Sequence, residues 1–192
     1  MTEKEWATHA GPARWEPWPL TLACSSDCRS PDCLRACVGQ FDVEHNPRYR
    51  RDELGHTYCN CALWDFTRAL ECEIPHWVSG TGAPVPVGKG RELTAPGMIM
   101  WLRVYGDEYG WKSLTDPSEA MAHAAAGRPV VVAWENPKIT GTGQRAPSHV
   151  AIMLPPVDGQ ARIAQAGADN FFDGPVERGF GKLRDLLYWW HE

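Results

Sequence analysis

The sequence predicts an α+β domain, with helices first and an antiparallel sheet after them. Three observations point there. Up to Gly127, apolar residues recur at helical spacing in segments opened by Ser30-Pro31, Ala95-Pro96 and Asp116-Pro117. From Pro129 onward the pattern changes to short β-branched runs, Val130 to Trp134 and His149 to Leu154. After these stands Asp158-Gly159, a strong hairpin signal that leads into a returning run, Ala161 to Ala166.

The composition limits what the chain can be. A length of 192 residues suits one domain, and a hydrophobic fraction of 43% supports a packed core. The net charge of -5, with no Lys/Arg run to track a phosphate backbone, argues against nucleic acid as a partner. No stretch approaches the roughly 18 consecutive apolar residues of a membrane span. The charged start Met1-Thr2-Glu3-Lys4-Glu5 has no apolar run behind it, so no signal peptide is expected. The expectation is a monomer made in the cytoplasm, reaching any outside target after release or delivery by another system.

Residues 1 to 22 are rich in Pro and Trp without periodicity, an irregular arm. Cys24, Cys28, Cys33 and Cys37 follow, four of the seven cysteines. Such a set can hold structural zinc on four thiolates or form two disulfides. Cys33 and Cys37 share a face of a helix that begins at Pro31 and runs toward Phe41. The arm and the cysteine segment, 1–37, are set apart from a body of 38–192. A polar loop then leads to a helix from Cys59 to about Glu71, ended by Ile74-Pro75. A Gly/Pro-rich loop covers 78 to 90, and a helix runs from Ala95 to Gly106. A short strand at Trp111 to Leu114 and a helix from Asp116 to Gly127 complete the first part. Leu186 to Trp190 reads as a last strand.

The chemistry centres on Cys59, at the first turn of its helix, with Leu63 and Phe66 behind it on the same face. A thiol at a helix N-terminus feels the positive end of the dipole, which favours the nucleophilic thiolate. Cys61 stands about 200° around the helix, and Cys72 lies at the C-terminal end, where the dipole opposes a thiolate. His149 opens its strand. The hairpin is expected to pair position 149 with 165 or 166, setting Gln165 beside it as an uncharged acceptor that fixes the imidazole tautomer. Taken singly, each residue also has a plain reading, as a small buried thiol or a core histidine.

Tyr58-Cys59-Asn60 opening a helix, Ser148-His149-Val-Ala-Ile-Met heading a strand, and a polar residue on the next strand resemble the papain-like cell-wall hydrolases of the NlpC and CHAP type. Val43-Glu-His-Asn-Pro-Arg-Tyr, Pro75-His76-Trp77 and Ala164-Gln165-Ala-Gly-Ala-Asp-Asn170 are similar to its single-domain phage-lysin versions, so the likeness covers roughly 38 to 190. The resemblance implies a papain-like fold and a peptidoglycan hydrolase, an endopeptidase or amidase. Cys59 would be its nucleophile, His149 the base and Gln165 the orienting residue. The Cys59 N–H would serve the oxyanion, and Tyr58 and Asn60 would flank it. Catalysis of this kind needs no cofactor. Trp64, Trp77 and Trp134 are candidates to stack on sugar or peptide, and Asp65 and Glu135 to bind a cationic side chain. The chain departs from the family at Cys61, where an apolar residue is usual, and in the four-cysteine segment, which has no counterpart there. Two other readings stand beside this one: a zinc-binding interaction protein that also uses His45 or His56, and a thiol enzyme acting on protein.

Overall fold

A computed structural model describes residues 13–192 apart from 142, 144, 145, 183 and 184; the first twelve residues of the expected arm lie outside the described part. Proline in the first turn marks three of the helix starts, and a side-chain cap closes two of them. Ser30 caps α1 (Pro31–Gly39) by accepting the Cys33 N–H at 3.1 Å. The next helix, α2 (Cys59–Ala69), has no side-chain cap. Pro96 lies in the first turn of α3 (Ala95–Val104), and Asp116 caps α4 (Pro117–Ala125) by accepting the Ser118 N–H at 2.8 Å. A short α5 (Val176–Phe180) was not expected from the sequence.

A two-stranded ribbon, β1 (Trp77–Val78) and β2 (Arg91–Glu92), closes the Gly/Pro-rich loop. The main sheet contains β3 (Trp111–Leu114), β4 (Val130–Trp134), β5 (His149–Val157), β6 (Gln160–Gln165), β7 (Phe171–Pro175) and β8 (Leu187–His191). Its order is β3-β8-β4-β5-β6-β7, and every neighbouring pair is antiparallel. The last strand therefore enters the middle of the sheet, between β3 and β4. The mixed α+β character expected from the sequence holds.

The sheet is covered on both faces, which accounts for the unbroken apolar run of β4. One face presents Val131, Ala133, Val150, Ile152 and Ala164 to α1, α2 and α3. The other presents Val130, Val132, Ala151, Met153 and Ile163 to Ala120 and Ala124 of α4 and to Phe180 of α5. Leu34, Cys37 and Val38 of α1 belong to the same core as Leu63 and Phe66 of α2, so the segment before residue 38 packs as part of the body.

The hairpin turns at Asp158-Gly159, both at positive φ, as the dipeptide predicts. Its strand runs past the expected end at Leu154, through Pro155 and Pro156, to Val157. Neither proline has an N–H to donate, and the ladder slips between Leu154 and Val157. Beyond the slip Ile152 opposes Ala164. Continuing that register sets Ala151 opposite Gln165, so Gln165 is the diagonal neighbour of His149 and not its direct partner, as the sequence had led us to expect.

Candidate active site

Three elements build the site: the first turn of α2, the head of β5 and the end of β6. Cys59 is the first residue of α2 and is 5% exposed. The Asn60 side chain donates to the Leu93 carbonyl at 3.0 Å, and the Leu93 N–H in turn donates to the His76 carbonyl at 2.8 Å. The start of the helix is thus pinned to the chain leaving β2. The Tyr58 hydroxyl donates to Asp52 Oδ2 at 2.7 Å, and the Arg14 guanidinium lies 3.8 Å over the Tyr58 ring. Tyr58 is therefore held from both sides, with its hydroxyl engaged by a carboxylate. Asp52 also accepts from the His56 backbone and ring at 2.8 and 2.9 Å. The Tyr58 hydroxyl and these bonds hold its carboxyl well below the usual range.

The Cys59 thiol lies against the backbone N–H groups of Val150, Asn60 and Cys59 itself, all of which favour the thiolate. Burial opposes them and is the larger effect, so the thiol titrates above its ordinary value of 9.0. Val150 is the residue after His149. The sulfur therefore sits at the peptide that joins the first two residues of β5.

His149 is half-buried and is the first residue of β5, next to Val150 in the chain. It pairs directly with Trp134 across β4 and β5, and directly opposed residues share a face. The Phe180 ring of α5 packs against the imidazole on that face, with centroids 5.0 Å apart. His149 Nε2 is hydrogen-bonded to Gln165 Oε1. The same amide donates through Nε2 to the Asp169 carbonyl at 2.9 Å, which fixes its oxygen toward the imidazole. An acceptor there places the imidazole proton on Nε2 and leaves Nδ1 as the lone-pair nitrogen. Burial holds the His149 pKa below its ordinary 6.5, with the Gln165 bond opposing it weakly, so the neutral base form prevails at neutral pH.

Two features around Gln165 have no local signature in the sequence. A Cβ on Gly179 would stand 2.5 Å from Gln165 Oε1 and 2.7 Å from Ile163 Cδ1, so only glycine lets α5 close over the amide. Asp169 accepts from Arg178 Nε at 2.8 Å, and Asn170 donates to the Tyr49 carbonyl at 3.0 Å. Both tether the loop that presents the Asp169 carbonyl to Gln165. These residues act through contacts across the fold, and no motif along the chain marks them.

The structure separates the three tryptophans. Trp134 stands beside His149, whereas Trp64 and Trp77 line a cavity of 230 Å³ together with Arg68, Glu73 and His76. Trp64 Nε1 donates to Glu73 at 2.7 Å, and its ring stacks on His76 at 4.6 Å. The expectation that Asp65 binds an external cation is corrected. Asp65 is fully buried, accepts from Arg48 Nε and the Tyr49 hydroxyl at 2.7 Å each, and faces no solvent. Glu135 pairs with Arg103 at 2.5 Å. His45 and His56 each bond a nearby aspartate, at 2.8 and 2.9 Å.

The four-cysteine segment lies at the other end of α2. The Cys24 N–H donates to the Ala69 carbonyl at 2.8 Å, and Arg29 Nη2 donates to the Leu70 carbonyl at 3.1 Å. The segment therefore closes the end of α2, away from Cys59. Cys24 and Cys33 form a disulfide, and Cys28 and Cys37 are free thiols, so one of the two expected bridges is present. The sulfurs of Cys24, Cys33 and Cys37 lie within 4.8 Å of one another, a group that could hold a metal ion. No protein-family model matches the chain, and no curated protein matches it.

Proposed function

We propose that the chain is a cysteine-dependent amidohydrolase of the NlpC/CHAP papain-like type that cleaves an amide bond in bacterial peptidoglycan. The observation that carries this reading is the hydrogen bond of Gln165 to His149 at the head of β5, one residue before Val150, whose backbone N–H lies at the Cys59 thiol. A core histidine needs no amide aimed at one nitrogen, itself locked by a backbone carbonyl.

In this mechanism both groups start neutral. As the sulfur attacks the scissile carbonyl, His149 Nδ1 takes the thiol proton, and the imidazolium is stabilised by Gln165 Oε1 at Nε2. The tetrahedral oxyanion forms at the N-terminus of α2, where the Cys59 N–H is a donor. Collapse breaks the C–N bond, His149 returns the proton to the leaving amine, and a thioester remains on Cys59. Water, deprotonated by His149, then attacks the thioester, releasing the acid and regenerating the thiol. The step needs no cofactor.

Purified cell walls treated with the wild-type chain should lose turbidity and release fragments with one new amine and one new carboxylate by mass spectrometry. Cys59→Ala should release none. Full activity in Cys59→Ala would remove the assignment of the nucleophile. Activity on casein or a peptide library, with none on cell walls, would move the reading to a protein-directed thiol enzyme. The grouped sulfurs at Cys24, Cys33 and Cys37 favour a second reading as a metal-binding interaction module, which predicts no hydrolysis in any preparation.

A further inference from the structure

The hydrolase reading makes no use of the four sulfurs packed at the closing end of α2. Cys24 enters on a segment bonded to Ala69, and Cys28 ends a single 3-10 turn, Ser26–Cys28. Cys33 and Cys37 stand four residues apart on one face of α1, whose start is fixed by the Ser30 cap. Cys24, Cys33 and Cys37 are within 4.8 Å of one another, and Cys28 Sγ is 3.8 Å from Cys24 Sγ. Two sulfurs bound at about 2.3 Å to one tetrahedral ion stand about 3.8 Å apart. Three of the sulfurs thus meet at one point, with the exposed Cys28 beside Cys24 as the fourth.

We infer that the reduced chain binds one zinc-class divalent ion on the thiolates of Cys24, Cys28, Cys33 and Cys37, and that the Cys24–Cys33 disulfide is the oxidised, metal-free state of the same site. The conversion balances with a dithiol reductant. It delivers two electrons and two protons, the Cys24–Cys33 bond breaks to two thiols, and the reductant leaves as its own disulfide. The ion then enters as four thiols release four protons to solvent. Because Cys24 is bonded to Ala69, loading the ion ties the arm, α1 and the end of α2 together without touching Cys59.

The test uses the full chain, reduced and then freed of reductant under anaerobic conditions, titrated with Co(II) alone. The expected result is one equivalent bound, with thiolate-to-cobalt charge transfer and the visible bands of a tetrahedral site, displaced by one equivalent of Zn(II). Cys28→Ser and Cys37→Ser should each lose stoichiometric binding, whereas Cys61→Ser should keep it. Because a serine variant at Cys37 perturbs a core position, a second measurement is made on the wild type. Zn(II) should protect Cys24, Cys28, Cys33 and Cys37 from alkylation and leave the other three cysteines unchanged. Octahedral cobalt bands, binding retained in Cys28→Ser, equal binding by the oxidised chain, or protection of fewer than four of these cysteines would each overturn the proposal.

Discussion

The two ends of α2 both carry buried sulfur, and they differ in what the helix offers it. At the first turn, free backbone N–H groups face Cys59, and Val150 adds another from β5. At the last turn the helix presents carbonyls, which are satisfied by the Cys24 N–H and the Arg29 guanidinium. Cys72, just beyond, is fully buried and pushed up to about 12, with Arg29 opposing this only in part. Burial raises the thiol pKa at both ends, so burial does not distinguish them. The direction of the peptide dipoles does: one end can stabilise a developing thiolate, and the other favours sulfur that is neutral, covalently paired or bound to a cation.

The strongest way to break this contrast is Cys59→Ala. Loss of a nucleophile of this kind is expected to cost about 10⁴-fold or more in the rate of wall hydrolysis, with the fold unchanged by circular dichroism. A variant retaining a tenth of the activity would mean that the first turn holds nothing catalytic. Next comes Asp65→Ala, which leaves Arg48 buried without its carboxylate. Removing one partner of a buried pair costs about 3–5 kcal/mol, read as a lowered midpoint in urea unfolding. An unchanged midpoint would show that the Ala13 and Glu16 carbonyls, which also accept from Arg48 at 2.7 Å, suffice.

Gly179→Ala sharpens the picture of the base. Its methyl group meets the Gln165 oxygen, and a displacement of catalytic geometry by about 1 Å costs about 10²-fold. The expected loss is in kcat, with KM little changed, and activity equal to wild type would show that Gln165 does not hold the imidazole in place. The pH dependence separates a neutral pair from a thiolate–imidazolium pair. With the His149 pKa lowered and the Cys59 pKa raised, hydrolysis should be lost only as pH falls below 6.5, where the base becomes protonated. Alkylation of the resting thiol should rise only above pH 9.0. Rapid alkylation already at neutral pH would reverse this ordering. The smallest effect is expected for Cys61→Ala. That thiol is buried, pushed up to about 12 chiefly by burial, and is not one of the proposed catalytic groups, so wall hydrolysis should stay within a few-fold of wild type.

Much of the frame was legible because its signals are local. Ser30-Pro31 and Asp116-Pro117 announce helix starts through a cap and a missing N–H, and Asp158-Gly159 announces its turn through backbone conformation. The pairing of Gln165 with His149 was legible in kind but not in register: Val157 opposes Gln160 across the two-residue turn, which counts back to 168 opposite 149, and the slip beyond Leu154 changes this only to 167. β7 was missed because Phe171-Phe-Asp-Gly-Pro is short and carries three residues that weaken strands. Asp65 looked like a surface carboxylate among aromatic residues. Its burial depends on Arg48, seventeen positions earlier, and no periodicity relates the two. The role of Gly179 is likewise set by what it packs against and by nothing in its neighbourhood along the chain.

The Arg48–Asp65 pair also has a consequence for how the molecule comes apart. Arg48 bonds the Ala13 and Glu16 carbonyls, and Asp65 accepts from the Trp18 N–H at 3.4 Å, so the arm is fastened to a charge pair inside the core. Peeling the arm away would open water to a guanidinium and a carboxylate on the helix that carries Cys59. A protease acting on the peptide bonds near Trp18 should therefore cut at the rate of global unfolding, with the same denaturant dependence as loss of the core. The N-terminal arm would then report on the integrity of α2 from more than forty residues away along the chain.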